Sequence, residues 1–349
     1  MERRQTKQVK VGKYVLGSSS PVTVQSMLNV PSTDIEGSVR QSVELEKAGC
    51  EIIRAAVPDM EAVRLISAIK EKVSVPLVAD IHFDYRLALE SAEAGIDKIR
   101  INPGNIGSDD RVKAVAKKCS EKNIPIRIGV NSGSLEKEIL AKYGGVTPEA
   151  MCESEMYHVK LLNKFDFDDI VISIKSSDVG KMVKAYRLMA EMCDYPLHLG
   201  VTEAGTYKMS LIKSCAGIGS LLLDGIGDTI RISMTDEPVK EVESALDLLS
   251  ALNMRNDRPQ IVACPTCGRT RIDLISTAKE VEDALKTCRK NIKVAVMGCV
   301  VNGPGEAKDA DIGIAGGDGC AVLFKHGEII RKISEENIVK ELLEEIDKL

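Results

Sequence analysis

The chain repeats one pattern eight times over its first two-thirds: a short β-rich run, a polar turn and a helical stretch that ends near Gly or Pro. Such alternation is typical of βαβ units around a parallel sheet, and eight units match the length of a (β/α)8 barrel, about 250 residues. The predicted strands are Val22–Met27, Glu51–Ala56, Pro76–Asp80, Lys98–Ile101, Pro125–Val130, Asp169–Ile174, Pro196–Val201 and Asp228–Ile232. The sequence therefore predicts an α/β fold with a TIM barrel over residues 1–254.

Two segments depart from this regular spacing. Ser132–Lys164, between the fifth and sixth strands, is long enough to predict an extra helix. After the eighth predicted helix, Val239–Asn253, a polar stretch ends in Pro259 and predicts a linker at residues 255–259. Residues 260–349 change to two strands around a helix, three strands joined by Gly-rich turns and a last charged helix. We interpret them as a small α+β domain.

Charge and composition exclude several classes of protein. The 349 residues include 47 basic and 52 acidic residues and no Trp, so neither the net charge of −5 nor the aromatic content favours nucleic-acid binding. No apolar run approaches the ~20 residues of a membrane span. The segment Met1–Gly12 is basic and polar, and we expect no signal peptide. These features predict a cytoplasmic protein in which thiols stay reduced and free for metal chemistry.

Five basic residues stand at the ends of five predicted barrel strands: Arg54, Arg100, Arg127, Lys175 and Arg231. Strand ends of such barrels meet at the catalytic mouth. So many buried like charges are costly without an anionic partner, which favours a phosphate or diphosphate ligand. The alternative for any single Arg is a pair with a neighbouring strand-end carboxylate.

Two carboxylates, Asp80 and Glu203, are candidates for acid–base catalysis at the same mouth. The alternative is that both only orient arginines. His82 follows the third strand and could donate to an anion or be structural. Loops containing Asn102 and Asn131 add polar donors next to the fourth and fifth strand ends.

Three cysteines of the small domain follow predicted strands: Cys264 and Cys267 in a Cys-x-x-Cys motif, and Cys299 further on. This spacing is typical of a metal site, with Glu306 as a candidate fourth ligand. Zinc, an iron–sulfur cluster and a redox Cys-x-x-Cys all remain compatible with the spacing. The other cysteines fall mainly in helix or strand patterns, where a small buried hydrophobic role is expected: Cys50, Cys119, Cys152, Cys193, Cys215, Cys288 and Cys320.

Long motifs in a fixed order resemble one family. Cys264–Arg269 and Met297–Glu306 resemble the cluster motif of 4-hydroxy-3-methylbut-2-enyl diphosphate synthases, in the bacterial two-domain form. The barrel segments that resemble the same family are Val24–Met27, Ala79–His82, Arg100–Asn105, Arg127–Asn131 and Thr202–Gly205. The likeness extends from about Arg3 to beyond Glu306.

The resemblance implies a [4Fe–4S] cluster, one per chain, held by Cys264, Cys267, Cys299 and Glu306. It implies reductive opening of 2-C-methyl-D-erythritol 2,4-cyclodiphosphate in isoprenoid precursor biosynthesis, with ferredoxin or flavodoxin as electron donor. The catalytic candidates are then Glu203 and Asp80. The candidate substrate-binding residues are Arg54, His82, Arg100, Asn102, Arg127, Asn131, Lys175, Arg231 and Ser233.

Two other functions compete with this interpretation. One is a non-redox barrel transferase of the pterin-synthase kind, with a structural zinc domain. The other is a non-enzymatic zinc-knuckle adaptor, which the acidic balance and scarce aromatics disfavour as a nucleic-acid binder. A cluster protein is brown and a zinc protein is colourless, so colour distinguishes them.

Chain topology also predicts an assembly. The eighth barrel helix leads ~22 Å away from the mouth at 1.5 Å per residue. A six-residue linker then reaches at most ~20 Å. A cluster that reduces a bound substrate must touch it. We therefore expect a homodimer in which the barrel of one chain faces the cluster domain of the other, with a folded-back monomer as the alternative.

Overall fold

The computed structural model describes residues 2–133, 135–286, 288–301, 305 and 307–349. The chain divides into two compact units, Met1–Leu248 and Leu249–Leu349. That boundary falls within a helix, a few residues before the linker proposed from the sequence. In the described ranges, no helix is long and apolar enough to cross a membrane.

The first unit contains eight parallel strands among its described residues, and their hydrogen-bonded order is β8-β7-β6-β5-β4-β3-β10-β9. They are β3 (Thr23–Met27), β4 (Ile52–Ala56), β5 (Leu77–Asp80), β6 (Lys98–Ile101), β7 (Ile126–Asn131), β8 (Ile170–Lys175), β9 (His198–Leu199) and β10 (Thr229–Ile230). A parallel bridge between Ile172 and Leu197 joins the two ends of this order. The predicted TIM barrel is therefore confirmed, with every predicted strand in place.

Tyr186 reinforces the closing seam, where β9 is only two residues long. Its hydroxyl donates to the carbonyl oxygen of His198 at 2.6 Å and accepts from the amide of Ile174 at 3.0 Å. Both bonds are buried, so the tyrosine replaces hydrogen bonds that the short strand cannot supply.

Helices follow the strands along the outside of the barrel. They are α1 (Ile35–Ala48), α2 (Arg64–Lys70), α3 (Tyr85–Glu93), α4 (Pro103–Ile106), α5 (Asp109–Lys122), α6 (Lys137–Tyr143), α7 (Pro148–Asn163), α8 (Val179–Met192), α9 (Tyr207–Ser214), a π-helical turn (Cys215–Gly219), α10 (Ser220–Leu223) and α11 (Pro238–Ala251). Helix α6 is the extra helix expected between the fifth and sixth barrel strands.

An antiparallel hairpin precedes the barrel and was not predicted. It consists of β1 (Val9–Val11) and β2 (Tyr14–Leu16). Its buried side chains, Val9, Val11 and Leu16, form one apolar cluster with side chains near the start of three barrel strands: Ile52, Val78 and Val171. The hairpin thus covers the amino-terminal end of the barrel, opposite the mouth.

The second unit is the small α+β fold expected from the sequence. A five-stranded sheet has the order β11-β12-β13-β14-β15, with the first three strands parallel and the last two added antiparallel. Its elements are β11 (Gln260–Ala263), α12 (Leu274–Leu285), β12 (Lys293–Met297), β13 (Ile312–Gly317), β14 (Cys320–Lys325), β15 (Glu328–Ser334), a 3-10 turn (Glu335–Asn337) and α13 (Ile338–Asp347). Both helices contribute to an apolar core that includes Val294 and Ile312.

Candidate functional site

Asp80 is the acidic centre of the barrel mouth. It ends β5, is buried, and lies in register with Arg100 on β6. One carboxylate oxygen is 3.1 Å from Nη2 of Arg54 and 3.3 Å from Nε2 of His82, and the other is 3.2 Å from Nη1 of Arg100. Burial alone would raise the pKa of Asp80, but Arg54, His82 and Arg100 outweigh it and hold that pKa well below its usual range. This geometry favours the orienting role over acid–base catalysis.

Arg231, from the end of β10, is held by a residue that the sequence analysis missed. Glu241, in the first turn of α11, accepts from Nε and Nη2 of Arg231 at 3.0 and 2.9 Å and from the hydroxyl of Ser26 at 2.8 Å. A carboxylate that accepts both bonds fixes the plane of the guanidinium. The available signal was that Glu241 precedes buried Ala245 by one helical turn, on the apolar face.

Arg127, on β7, and Lys175, at the end of β8, are both buried. Burial lowers the pKa of each well below its usual range, and neighbouring arginines lower it further. The Nε and Nη1 atoms of Arg127 have no hydrogen-bond partner within the described part of the chain. A buried guanidinium with unused donors is suited to an anionic ligand.

Two glycines leave room for these long side chains. A Cβ at Gly129 would lie 3.0 Å from Nε of Arg100, and one at Gly200 would lie 2.7 Å from Nζ of Lys175. The carbonyl oxygen of Gly129 also accepts from Nη2 of Arg100 at 3.1 Å. Small residues on one strand therefore allow a cation from another strand to occupy the barrel axis.

The remaining mouth candidates stand on the loops that follow the strands. Asn102 is buried and caps α4, its side-chain oxygen accepting from the amide of Gly104 at 3.1 Å. Asn131 ends β7, and Ser233 lies just after β10, where its carbonyl oxygen accepts from Ser210 at 2.6 Å. Glu203 is exposed after β9 and has a φ of 51°, in the left-handed region that non-glycine residues rarely occupy. Such strain is common at functional positions.

In the second unit, Cys264 and Cys299 follow neighbouring parallel strands, so they share one edge of the sheet. The sulfur of Cys264 accepts from the amide of Gly298 at 3.1 Å, and the amide of Arg271 donates to the carbonyl oxygen of Gly298 at 2.9 Å. A Cβ at Gly298 would lie 3.0 Å from Thr270. The loop carrying Cys267 is thus packed against the loop carrying Cys299.

These residues fit an iron–sulfur site in donor type and in setting. Hydrogen bonds from backbone amides to sulfur tune such clusters. Backbone hydrogen bonding from Arg269 lowers the pKa of Cys267 and favours its thiolate, the ligating form. Across the ranges that the structure describes, no three Cys, His, Asp or Glu side chains are grouped closely enough to hold a metal. Glu306, the proposed fourth ligand, lies outside the described residues.

The other cysteines differ in their surroundings. Cys50, Cys119 and Cys152 are buried, and burial raises the pKa of each to about 12. They match the expected packing role. Cys215 is exposed on the π-helical turn, in contrast to that expectation.

The described residues define a (β/α)8-barrel protein with a cation-lined mouth and a second, small α+β unit that has cysteines along one sheet edge. The family model described as "GcpE TIM-barrel domain" matches residues 6–246, and "GcpE protein C-terminal domain" matches residues 260–348. The chain belongs to the GcpE family.

Curated relatives match over almost the whole chain. A protein from Clostridium perfringens (strain 13 / Type A) is 57% identical over 347 residues, which are 99% of each chain. One from Clostridium acetobutylicum is 57% identical over 349 residues, the whole of both chains. Each is described as 4-hydroxy-3-methylbut-2-en-1-yl diphosphate synthase (flavodoxin). The family resemblance found in the sequence motifs is therefore confirmed.

Two solved structures each cover about 70% of this chain. Dihydropteroate synthase from Xanthomonas albilineans has a TM-score of 0.51 at 14% identity, covering 70% of this chain and 97% of that one. A truncated 3-deoxy-D-arabino-heptulosonate 7-phosphate synthase from Thermotoga maritima has a TM-score of 0.52 at 12% identity, covering 71% and 94%. At this level of identity the likeness shows the fold only.

Proposed function

We propose that this chain is an iron–sulfur oxidoreductase of isoprenoid precursor biosynthesis, working in the cytoplasm. It converts 2-C-methyl-D-erythritol 2,4-cyclodiphosphate to (E)-4-hydroxy-3-methylbut-2-enyl diphosphate. The reaction consumes two electrons and two protons, opens the ring and releases one water. The names of the full-length relatives support this product and support flavodoxin as the electron donor.

The observation that carries the proposal is the excess of buried cations at the mouth. Arg54, Arg100, Arg127, Lys175 and Arg231 converge there, whereas Asp80 and Glu241 are the carboxylates that the described residues pair with them. Both carboxylates are already engaged by arginines. A cyclic diphosphate would supply the missing negative charge, because phosphate oxygens accept charge-assisted hydrogen bonds from guanidinium and ammonium groups.

Each mouth residue then has a separate task. Asp80 orients Arg54 and Arg100, while Glu241 orients Arg231, so these cations meet the phosphates in a fixed geometry. Arg127 and Lys175 bind phosphate oxygens from the barrel axis. His82, Asn102, Asn131 and Ser233 donate around the rim. Glu203, which is exposed in a strained backbone conformation, is the candidate for proton transfer.

The cluster site is proposed at Cys264, Cys267, Cys299 and Glu306. When bound, a [4Fe–4S] cluster would supply electrons to the reaction one at a time. The polypeptide holds the three sulfurs on adjoining loops and donates the Gly298 amide to Cys264. The alternative function, a non-redox transferase, has no comparable support, because the likeness to dihydropteroate synthases is limited to the barrel fold.

Metal analysis and turnover test this function together. Protein prepared without oxygen is expected to be brown, to hold about four irons per chain, and to consume the cyclodiphosphate with reduced flavodoxin. Cys264→Ser should lose both iron and turnover, whereas the control Cys119→Ser, at a buried helical site, should keep both. Stoichiometric zinc without iron would contradict the proposal.

We also propose a crossed homodimer in which each barrel mouth faces the small domain of its partner. Barrel topology supports it, because α11 leads the chain from the mouth towards the opposite end of the barrel. Mixing a Cys264→Ser chain with an Arg127→Ala chain tests the arrangement. Each variant is expected to be inactive alone, and a crossed dimer should regain one working site per mixed pair. A self-contained monomer would regain nothing.

A further inference from the structure

Two basic residues lie one layer below the mouth and have no assigned role. Lys98 precedes Arg100 by two residues on β6, and His198 precedes Gly200 by two residues on β9, so both point into the barrel. Both side chains are 0% exposed. Neither the Nζ of Lys98 nor either ring nitrogen of His198 has a hydrogen-bond partner in the described portion of the protein.

The groups that face this layer are mostly basic. Strand β3 contributes the neutral Thr23 and Gln25, and the hairpin contributes only apolar side chains. The charged groups facing it from the other strands are Arg54 (β4), Asp80 (β5), Arg100 (β6), Arg127 (β7), Lys175 (β8) and Arg231 (after β10). Asp80, the inward carboxylate among these, is already held by Arg54 and Arg100.

A full positive charge on Lys98 or His198 would therefore be buried without compensation in the free protein. Burial lowers the pKa of both residues well below the usual range, and the neighbouring cations, Arg127 first, lower it further. The layer therefore disfavours a positive charge on either residue until negative charge arrives.

We infer that Lys98 and His198 are further anion-binding residues, which take up protons when a polyanion occupies the mouth among Arg54, Arg100 and Arg127. The bound phosphates supply the countercharge that the protein lacks, so protonation and binding favour each other. This inference rests on the proposed function for the identity of the anion, but any diphosphate of similar charge should produce the effect.

The sign of the pH dependence follows from this linkage. The complex holds more protons than the free protein, so affinity falls as pH rises. Each proton taken up contributes up to about tenfold in affinity per pH unit. A structural role for Lys98 would change stability without changing this slope.

Isothermal titration calorimetry of inorganic pyrophosphate into the cluster-loaded protein measures the uptake. Titrations at one pH in buffers with different heats of ionisation give the number of protons bound. The test variant is Lys98→Met, which keeps length and burial, and the control is Lys117→Met, at an exposed lysine of α5. Pyrophosphate's own ionisation is common to all three proteins, so it cancels in the differences.

On binding pyrophosphate, Lys98→Met should take up about one proton fewer than the parent. Its affinity should also fall less steeply as pH rises, whereas Lys117→Met should match the parent in both respects. Equal uptake in the parent and Lys98→Met would overturn the role of Lys98. The chain has only four histidines, so ring NMR signals give a second measurement that needs no lysine variant. The His198 signal is identified as the one that disappears in His198→Gln. In the parent it should report a neutral ring without ligand and a protonated ring with pyrophosphate.

The outcomes separate this inference from the proposed function. Pyrophosphate binding without uptake at Lys98 or His198 overturns the inference and leaves the cyclodiphosphate reaction intact. Failure of pyrophosphate to bind at all overturns the inference and also the assignment of the mouth as a phosphate site. Normal binding and uptake without turnover of the cyclodiphosphate would overturn the proposed reaction alone.

Discussion

Gly200 lies directly against Lys175: a Cβ at residue 200 would be 2.7 Å from the Nζ of Lys175 and 2.9 Å from the carbonyl oxygen of Arg231. Both contacts are too short for a Cβ, so a side chain here would displace the flexible end of Lys175 and also strain the backbone after β10. The smallness of Gly200 therefore sets the position of a cation that belongs to another strand.

Gly200→Ala should displace Lys175 and weaken substrate binding. Loss of one charge-assisted hydrogen bond costs about 1.5–3 kcal/mol, or roughly 10- to 150-fold in affinity. Pyrophosphate titration and the KM of the cyclodiphosphate measure the effect. The matched control is Gly180→Ala, at the start of α8, where the new Cβ meets only ordinary contacts at 3.4 Å. Unchanged affinity in Gly200→Ala would show that Lys175 does not contact the ligand.

Glu241→Gln should release Arg231. Gln retains a single acceptor where the carboxylate accepts from Arg231, Ser26 and the amide of Met234. Removing one partner of a buried ion pair costs about 3–5 kcal/mol of stability. We expect KM to rise more than kcat falls, because Glu241 acts through Arg231. The control Glu243→Gln changes an exposed residue of the same helix. A fall in kcat with KM unchanged would contradict a purely orienting role.

Glu203→Gln should slow turnover and leave pyrophosphate affinity nearly unchanged. The amide has the size of the carboxyl group but cannot transfer a proton, and general acid–base catalysis contributes about 10²- to 10⁴-fold. Steady-state rates alongside calorimetric affinity separate the two quantities. If turnover stays at the parent level, Glu203 has no part in proton transfer.

Tyr186→Phe should weaken the barrel seam by about 1–3 kcal/mol, because the variant leaves the buried amide of Ile174 and the buried carbonyl of His198 without this partner. Denaturant unfolding measures the loss, and hydrogen exchange at the Ile174 amide should accelerate. Tyr157→Phe, at an exposed tyrosine of α7, is the control. Equal stability in the two variants would mean that the seam does not depend on the hydroxyl.

Glu155→Gln should change how stability depends on pH. Glu155 is buried on α7, accepts from the amide of Val130 at 3.2 Å, and has a pKa that burial raises to about 8. In the unfolded chain a Glu has a pKa of about 4.3. The folded state therefore binds the extra proton, and stability falls as pH rises from about 4.3 towards 8, by up to about 1.4 kcal/mol per pH unit.

Glu155→Gln mimics the protonated form and should lack this fall, so its advantage over the parent grows with pH. Denaturant unfolding at about pH 5, 6, 7 and 8 measures how the stability of each protein depends on pH. Glu191→Gln, at an exposed residue of α8, should retain the parent slope. Parallel curves for the parent and Glu155→Gln would show that Glu155 titrates normally.

The sequence predicted the barrel well because its strands are consistent short apolar runs between helical stretches. It also located the cations, since Arg54, Arg100 and Lys175 stand at or near strand ends. It could not show that Asp80 accepts from two of them, because that depends on side-chain directions across three strands. The hairpin was missed because strands of three residues, such as Val9–Val11, carry too little periodicity.

Glu241 and Lys98 were missed for a different reason. A glutamate in the first turn of a helix is ordinarily explained by the helix dipole. A lysine that opens a strand ordinarily lies in solvent. The apolar spacing of α11 places Glu241 on the buried face, but its pairing with Arg231 and the burial of Lys98 depend on how α11 and β6 meet the rest of the barrel.

The hairpin at the amino-terminal end of the barrel has a consequence for how molecules enter and leave the site. A barrel sealed by Val9, Val11 and Leu16 at its base has its mouth as the route in and out. An incoming molecule and a departing one must then pass through the same opening, one after the other. Release of one therefore precedes entry of the next, and a product that lingers acts as a competitor of fresh substrate.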